Sequence, residues 1–103
     1  MPVLAWSGLA RQDVDDIYDY IGERDGRPAT ADKFARLLLE VCESYAAAFA
    51  AGSIIGTARS DLGESYREFT HKRWVIVFRP IQGGIEILRV VDGSRDYVRL
   101  FGS

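Results

Sequence analysis

The stretch from Tyr66 to Asp96 leaves this chain few ways to fold. Three runs rich in β-branched and aromatic residues follow one another there: Tyr66 to Thr70, Trp74 to Arg79, and Ile85 to Val91. Such residues suit a pleated, half-buried surface, so each run is predicted as a strand. Pro80 to Gly84 separates the last two and predicts a hairpin; the polar break at His71 to Arg73 predicts a second antiparallel connection. A three-stranded meander of this kind exposes two faces, and at least one needs a cover.

The cover is written in the first half of the chain. Val3 to Trp6 is short and apolar and reads as a first strand, added to the main sheet. Ser7 then suits a helix N-cap, because its hydroxyl accepts from an orphan backbone N–H. Beyond it Ala10, Val14, Ile17 and Ile21 fall on one helical face. Gly22 weakens that pattern, and Asp25 to Pro28 reads as the turn that ends it. A second helix is predicted from about Pro28 to Ala31 onward, with Ala31, Phe34, Leu38, Val41, Tyr45 and Phe49 as its apolar stripe and Gly52 as its stop. Leu37 and Cys42 widen the stripe, and Cys42 reads as a small buried hydrophobe. Gly52 to Gly63 reads as a linker, and Tyr97 to Phe101 as a docked tail after a turn at Asp92 to Asp96. The expectation is an α+β domain over residues 1–103: an N-terminal strand, an α-helical hairpin, then a three-stranded antiparallel meander.

Length and composition bound the function. A chain of 103 residues has room for one modest core. Its single cysteine allows no internal disulfide, no secretory signal is evident, and no apolar stretch is long enough to span a bilayer, so the expectation is a cytoplasmic protein without membrane attachment. Charge is uneven: residues 1–58 carry five basic against nine acidic side chains, and residues 59–103 eight against six. A net charge of −2 argues against tight nonspecific nucleic-acid binding, which runs on many phosphate contacts.

The catalytic inventory is thin. His71 is the one histidine and lies in a predicted turn beside Lys72 and Arg73. No Gly-rich phosphate loop, no metal-ligand spacing and no nucleophile elbow is present, and no cofactor is expected. What stands out is a row of arginines on or beside the strands: Arg59, Arg67, Arg79, Arg89 and Arg95. Side chains alternate along a strand, so Ile85, Ile87 and Arg89 are expected on one face of the third strand and Glu86, Leu88 and Val90 on the other. An arginine closing an apolar face is seldom buried alone. Two readings stay open for the set: structural ion pairs with Glu68, Glu86 or Asp96, or a surface that recognises an anion or a protein.

The order and spacing of these groups resemble the ParE branch of the RelE/ParE toxin superfamily of bacterial type II toxin–antitoxin systems. The resemblance runs from Trp6-Ser7, Ala10, Asp13-Val14, Ile17 and Tyr20-Ile21, through Gly56, Arg59 to Leu62 and Tyr66-Arg67. It continues through Trp74 to Arg79, Gly84-Ile85, Ile87 to Val90, Gly93 and Arg95-Asp96. Two departures are a missing proline before Gly56 and Asp92 where the family often has histidine.

The resemblance implies a cognate ParD-like antitoxin and one of two actions. ParE-like toxins inhibit DNA gyrase by protein–protein contact; RelE-like toxins cut mRNA on the ribosome, and an inactive toxin-fold binding protein is a third possibility. The acidic balance and the presence of only two lysines favour the gyrase-directed action, with no direct sequence-specific DNA binding by this chain alone. The implied target-facing residues are Arg59, Arg67, Arg89, Arg95, Asp96 and Tyr97. No catalytic residue is expected for a gyrase inhibitor, whereas an RNase would draw on Arg67, Arg89 and Tyr97. Trp6, Leu37 and Phe49 are the candidates for antitoxin contact.

Overall fold

The computed structural model describes residues 1–101. In chain order it contains β1 (Val3–Trp6), α1 (Gly8–Asp19), a π-helical turn (Tyr20–Arg24), α2 (Pro28–Ala50), β2 (Thr57–Ala58), β3 (Arg67–His71), β4 (Trp74–Ile81), β5 (Gly84–Asp92) and a 3₁₀ turn (Tyr97–Leu100). The strands form one mixed sheet in the order β1-β5-β4-β3-β2, with β1 parallel to β5 and the other pairs antiparallel. The α+β architecture and the meander are those expected, but the sheet has five strands. The added strand, β2, is a two-residue backbone pairing inside the predicted linker. A segment that short carries no side-chain period to read.

The turns are tighter than the sequence suggests. β4 runs to Ile81 and β5 starts at Gly84, so Gln82-Gly83 alone makes the hairpin turn. His71 pairs with Trp74, leaving Lys72-Arg73 as the other turn, with Lys72 in the left-handed region at φ 57°. α1 starts on the predicted cap: the Ser7 hydroxyl accepts from Ala10 N–H at 3.0 Å. α2 ends at the predicted stop in a Schellman motif. Ser53 N–H reaches Ala48 O at 2.9 Å, Gly52 N–H reaches Phe49 O at 3.0 Å, and Gly52 sits at φ +90°.

Both sheet faces are covered. On one, Ala10 of α1 and Leu38, Cys42 and Ala46 of α2 bury Ile76, Phe78, Ile85 and Ile87. Tyr45 stacks on Phe69 with centroids 3.9 Å apart, and Phe49 meets Phe78 edge-on at 5.5 Å. On the other, Leu62, Tyr66, Tyr97 and Phe101 cover Val75, Val77 and Val91. The docked tail expected after β5 therefore exists as the 3₁₀ turn and closes this second layer. β5 departs from simple alternation. Val77 pairs with Arg89 and Phe78 with Ile87, so Leu88 is an extra, bulged residue. Past the bulge it is Val90, not Arg89, that joins Ile85 and Ile87 in the helix-side core.

α1 is anchored where β1 runs out. β1 pairs with β5 only from Gly84 to Ile87, so the rest of that β5 edge lacks a strand partner. The Ser7 hydroxyl donates to Leu88 O at 2.8 Å. The Asp13 carboxylate accepts from Val90 N–H at 2.9 Å and from Arg89 Nε and Nη2 at 2.8 and 2.9 Å. A side chain thus supplies the acceptor that a neighbouring strand would have offered.

The Cys42 thiol is fully buried, and burial pushes its pKa up to about 12; Ellman's reagent at pH 8 should react only after denaturant is added. A Cβ at Gly84 would fall 1.8 Å from Val3 O, so Gly84→Ala must break the β1–β5 pairing. It should cost about 3 kcal/mol in urea unfolding, whereas Gly8→Ala, with open space around it, should be close to neutral. Asp13→Ala would strand the Arg89 side chain, which is 17% exposed, together with Val90 N–H. A loss of about 2–4 kcal/mol is expected, and Asp13→Asn, which keeps an acceptor, should lose less.

Candidate functional site

A groove opens where α1, the π-helical turn and α2 meet the end of the sheet that carries the β3–β4 turn. Asp25 N–H bonds Tyr20 O at 3.0 Å and Arg27 N–H bonds Ile21 O at 3.1 Å, and Gly22 lies beside Ala31 and Pro28. The larger recess, of about 550 Å³, is bounded by Ile17 and Tyr20, by Arg73 and Trp74, and by Arg95 and Leu100. The smaller, of about 240 Å³, has Ile21, Phe34, Leu37 and Trp74 in its lining. Tyr20, Arg73 and Trp74 belong to both, so the two recesses adjoin.

Arg73 is the hinge of its electrostatics. The guanidinium lies 4.8 Å from the Trp74 ring centroid and pairs with Asp92 at 2.5 Å. Arg73, with the Ser94 N–H and hydroxyl as further donors, holds the Asp92 carboxyl well below the usual carboxylate range. Asp92 stays charged and ties the start of β4 to the end of β5.

The structure separates the sequence-derived site residues. Arg59 binds Asp61 through Nε and Nη2 at 2.9 and 2.8 Å, while its Nη1 reaches Glu68 at 2.5 Å and the Tyr97 hydroxyl at 2.8 Å. Tyr97 in turn donates to Glu68 at 2.9 Å. Burial first, and this bond second, push the Tyr97 hydroxyl above its ordinary pKa and keep it protonated. The cluster pins the linker, β3 and the 3₁₀ turn together. Arg67 donates to the carbonyls of Ile55 and Gly56 at 3.0 and 2.8 Å and so closes the linker onto β3. Arg79 pairs with Glu86 across the hairpin, and Arg89 with Asp13.

Arg95 and Asp96 are different. Both are exposed, both line the larger recess, and neither forms a side-chain ion pair among the described residues. Tyr97 lines the same recess. Of the antitoxin candidates, Trp6 and Phe49 pack against the helix-side core, and Leu37 alone lines the groove. Tyr20, Ile21, Phe34, Arg73 and Trp74 form much of the groove and are not among the site residues expected from sequence, which places Ile21 and Phe34 in the core-facing stripes. One signal was available: Leu37 widens the α2 stripe beyond what one packed face needs. The π-helical turn that brings Tyr20 round has no comparable signature.

A family model described as the ParE toxin of the type II toxin-antitoxin system, parDE, matches residues 4–97. A comparison with curated proteins finds no match. Among solved structures, a chain of the "Chromosomal ParDE TA system from P. aeruginosa" superposes with a TM-score of 0.69 at 26% identity, covering 89% of this chain and 96% of that one. With the family model spanning β1 through the start of the 3₁₀ turn, the chain belongs to the ParE toxin family of type II toxin–antitoxin systems.

Proposed function

We propose that this protein is a toxin that inhibits DNA gyrase by protein–protein contact in the cytoplasm and is neutralised by a ParD-like antitoxin. The observation that carries the choice between the two actions of the superfamily is the state of the RNase candidates. Arg67 is spent on two backbone carbonyls, Arg89 on Asp13, and Tyr97 on Arg59 and Glu68. Phosphoryl chemistry on RNA needs cations and an acid or base free to meet the phosphate and the 2′-hydroxyl. Here those groups hold the fold together, and the net charge of −2 gives little attraction to ribosomal RNA.

Arg95 and Asp96 are the target-facing pair in this reading, with Tyr97 shaping the turn behind them. They are exposed, lie at the rim of the larger recess, and follow the last strand where core packing no longer dictates side-chain type. The apolar lining of the groove suits the antitoxin, because an amphipathic helix or an extended segment binds by seating bulky side chains in such recesses.

Purified protein should abolish plasmid supercoiling by gyrase and leave mRNA intact in a ribosome-dependent cleavage assay. Arg95→Ala should raise the concentration needed for gyrase inhibition by about tenfold, the loss of roughly one desolvated contact, with an unchanged melting temperature. Cut mRNA with normal supercoiling would refute the gyrase reading, and full inhibition by a folded Arg95→Ala protein would refute the role of Arg95.

A further inference from the structure

Arg95 and Asp96 belong to no strand or helix, yet the turn that carries them is held at both ends. Upstream, Gly93 N–H bonds Arg73 O at 2.8 Å, and the Asp92 carboxylate accepts from Arg73, the Ser94 N–H and the Ser94 hydroxyl. Arg95 N–H then returns to Asp92 O at 3.1 Å. Downstream, Tyr97 N–H bonds Arg95 O at 2.9 Å around Asp96, whose φ of −78° and ψ of 79° place it at the centre of an inverse γ-turn. One such bond, exposed to water, holds little by itself, so this end depends on what fixes Tyr97. Glu68 fixes it: its Oε1 accepts from the Tyr97 hydroxyl at 2.9 Å, and Arg59 Nη1 bridges the two, 2.5 Å from Glu68 and 2.8 Å from the hydroxyl. Glu68 is a rigid base for this contact. β3 is paired on both sides there, with Val77 opposite Glu68 on β4 and Thr57 on β2, and the Glu68 side chain is 19% exposed. Neither Glu68 nor Arg59 lines the larger recess, whereas Tyr97 does.

From this we infer that Glu68 is a positioning residue for target recognition: through the Tyr97 hydroxyl it holds Arg95 and Asp96 in the geometry that the target meets, without touching the target itself. This role rests on the gyrase reading above and adds a residue of β3, 29 positions before Tyr97, to that site. The physical reason is preorganisation. A turn that is already ordered loses no backbone freedom on binding, whereas a loose one must be ordered at the expense of affinity. Docking of the C-terminal segment as such does not need the hydroxyl. Phe101 meets Tyr66 edge-on at 6.1 Å, and both join Leu62 and the Tyr97 ring in the apolar layer over Val75, Val77 and Val91. What the hydroxyl adds to that layer is a fixed direction for the residues just before it.

The experiment measures inhibition of gyrase supercoiling and backbone amide exchange by NMR on the full-length protein. Tyr97→Phe removes the hydroxyl and keeps the ring. It should raise the concentration for half-inhibition by about five- to tenfold and speed exchange at the Arg95 and Tyr97 amides by about tenfold, with β4 and β5 amides unchanged. Glu68→Ala should do the same, and Glu68→Gln, which keeps an acceptor for the hydroxyl, should recover most of that loss. In an Arg95→Ala background the effect of Tyr97→Phe on inhibition should fall to about twofold, because only Asp96 is left to be misplaced. Tyr18→Phe is the control. The Tyr18 hydroxyl donates to Asp32, which joins α1 to α2 away from both recesses, so losing it should leave inhibition unchanged.

Equal losses from Tyr97→Phe in the wild-type and Arg95→Ala backgrounds would overturn the positioning role, since the hydroxyl would then touch the target itself or support the whole fold. Unchanged exchange at the Arg95 and Tyr97 amides would overturn it too, as would full inhibition by a folded Glu68→Ala protein. In each of these cases inhibition by wild type leaves the gyrase reading standing and removes only the role of Glu68. If wild type leaves supercoiling intact, the gyrase reading itself fails and the role of Glu68 in that recognition falls with it.

Discussion

The half-covered edge of β5 is the constraint on which the remaining arrangement depends. β1 supplies a parallel neighbour for four residues and then stops, because Ser7 turns the chain into α1. An unpaired strand edge inside a protein costs heavily unless other groups supply its hydrogen bonds. Ser7 and Asp13 do so from the helix side, and Asp13 neutralises Arg89 in the same contact. This fixes α1 along the edge. With α1 fixed, Ile17 and Tyr20 become the wall that faces Trp74 and Arg73, and the groove exists.

The same contact explains the bulge at Leu88. A regular β5 would alternate through Ile85, Ile87 and Arg89 and drive a guanidinium under the helices. The extra residue moves Val90 into that layer instead, and Arg89 meets Asp13. The irregularity in the ladder thus avoids burying an unpaired charge, a cost larger than the hydrogen bonding lost at one bulge.

What the sequence makes legible divides along the range of the interactions. Local signals read well: the Ser7 cap, the Gly52 stop, the three long strands and both apolar helix stripes depend on neighbours a few residues away. β2 escaped because two residues carry no period. The bulge escaped because register is decided between strands. The site is less legible than the fold for the same reason. The row of arginines was visible, but Asp13 stands 76 residues from Arg89 and Tyr97 stands 38 from Arg59, so spacing could not tell a clamp from a recognition surface. Leu37 was visible as a widened stripe; Trp6 and Phe49, equally apolar, belong to the core.

That division separates two kinds of arginine. Arg59, Arg67, Arg79 and Arg89 each meet a carboxylate or a carbonyl on another segment, and each closes a seam: linker to β3, β4 to β5, helix to sheet. Replacing any of them disturbs packing before it disturbs recognition, so loss of toxicity in such variants would say little about the target. Arg95 and the cations Arg27, Lys33 and Lys72 close no such seam, and they lie in two adjoining recesses. Arg95 lines the larger recess, while Arg27, Lys33 and Lys72 line the smaller. A toxin that meets both a target and an antitoxin needs two surfaces that can be engaged without unfolding the protein. The uncommitted side chains of the two recesses are accessible without breaking the fold, and the side chains held in ion pairs are not.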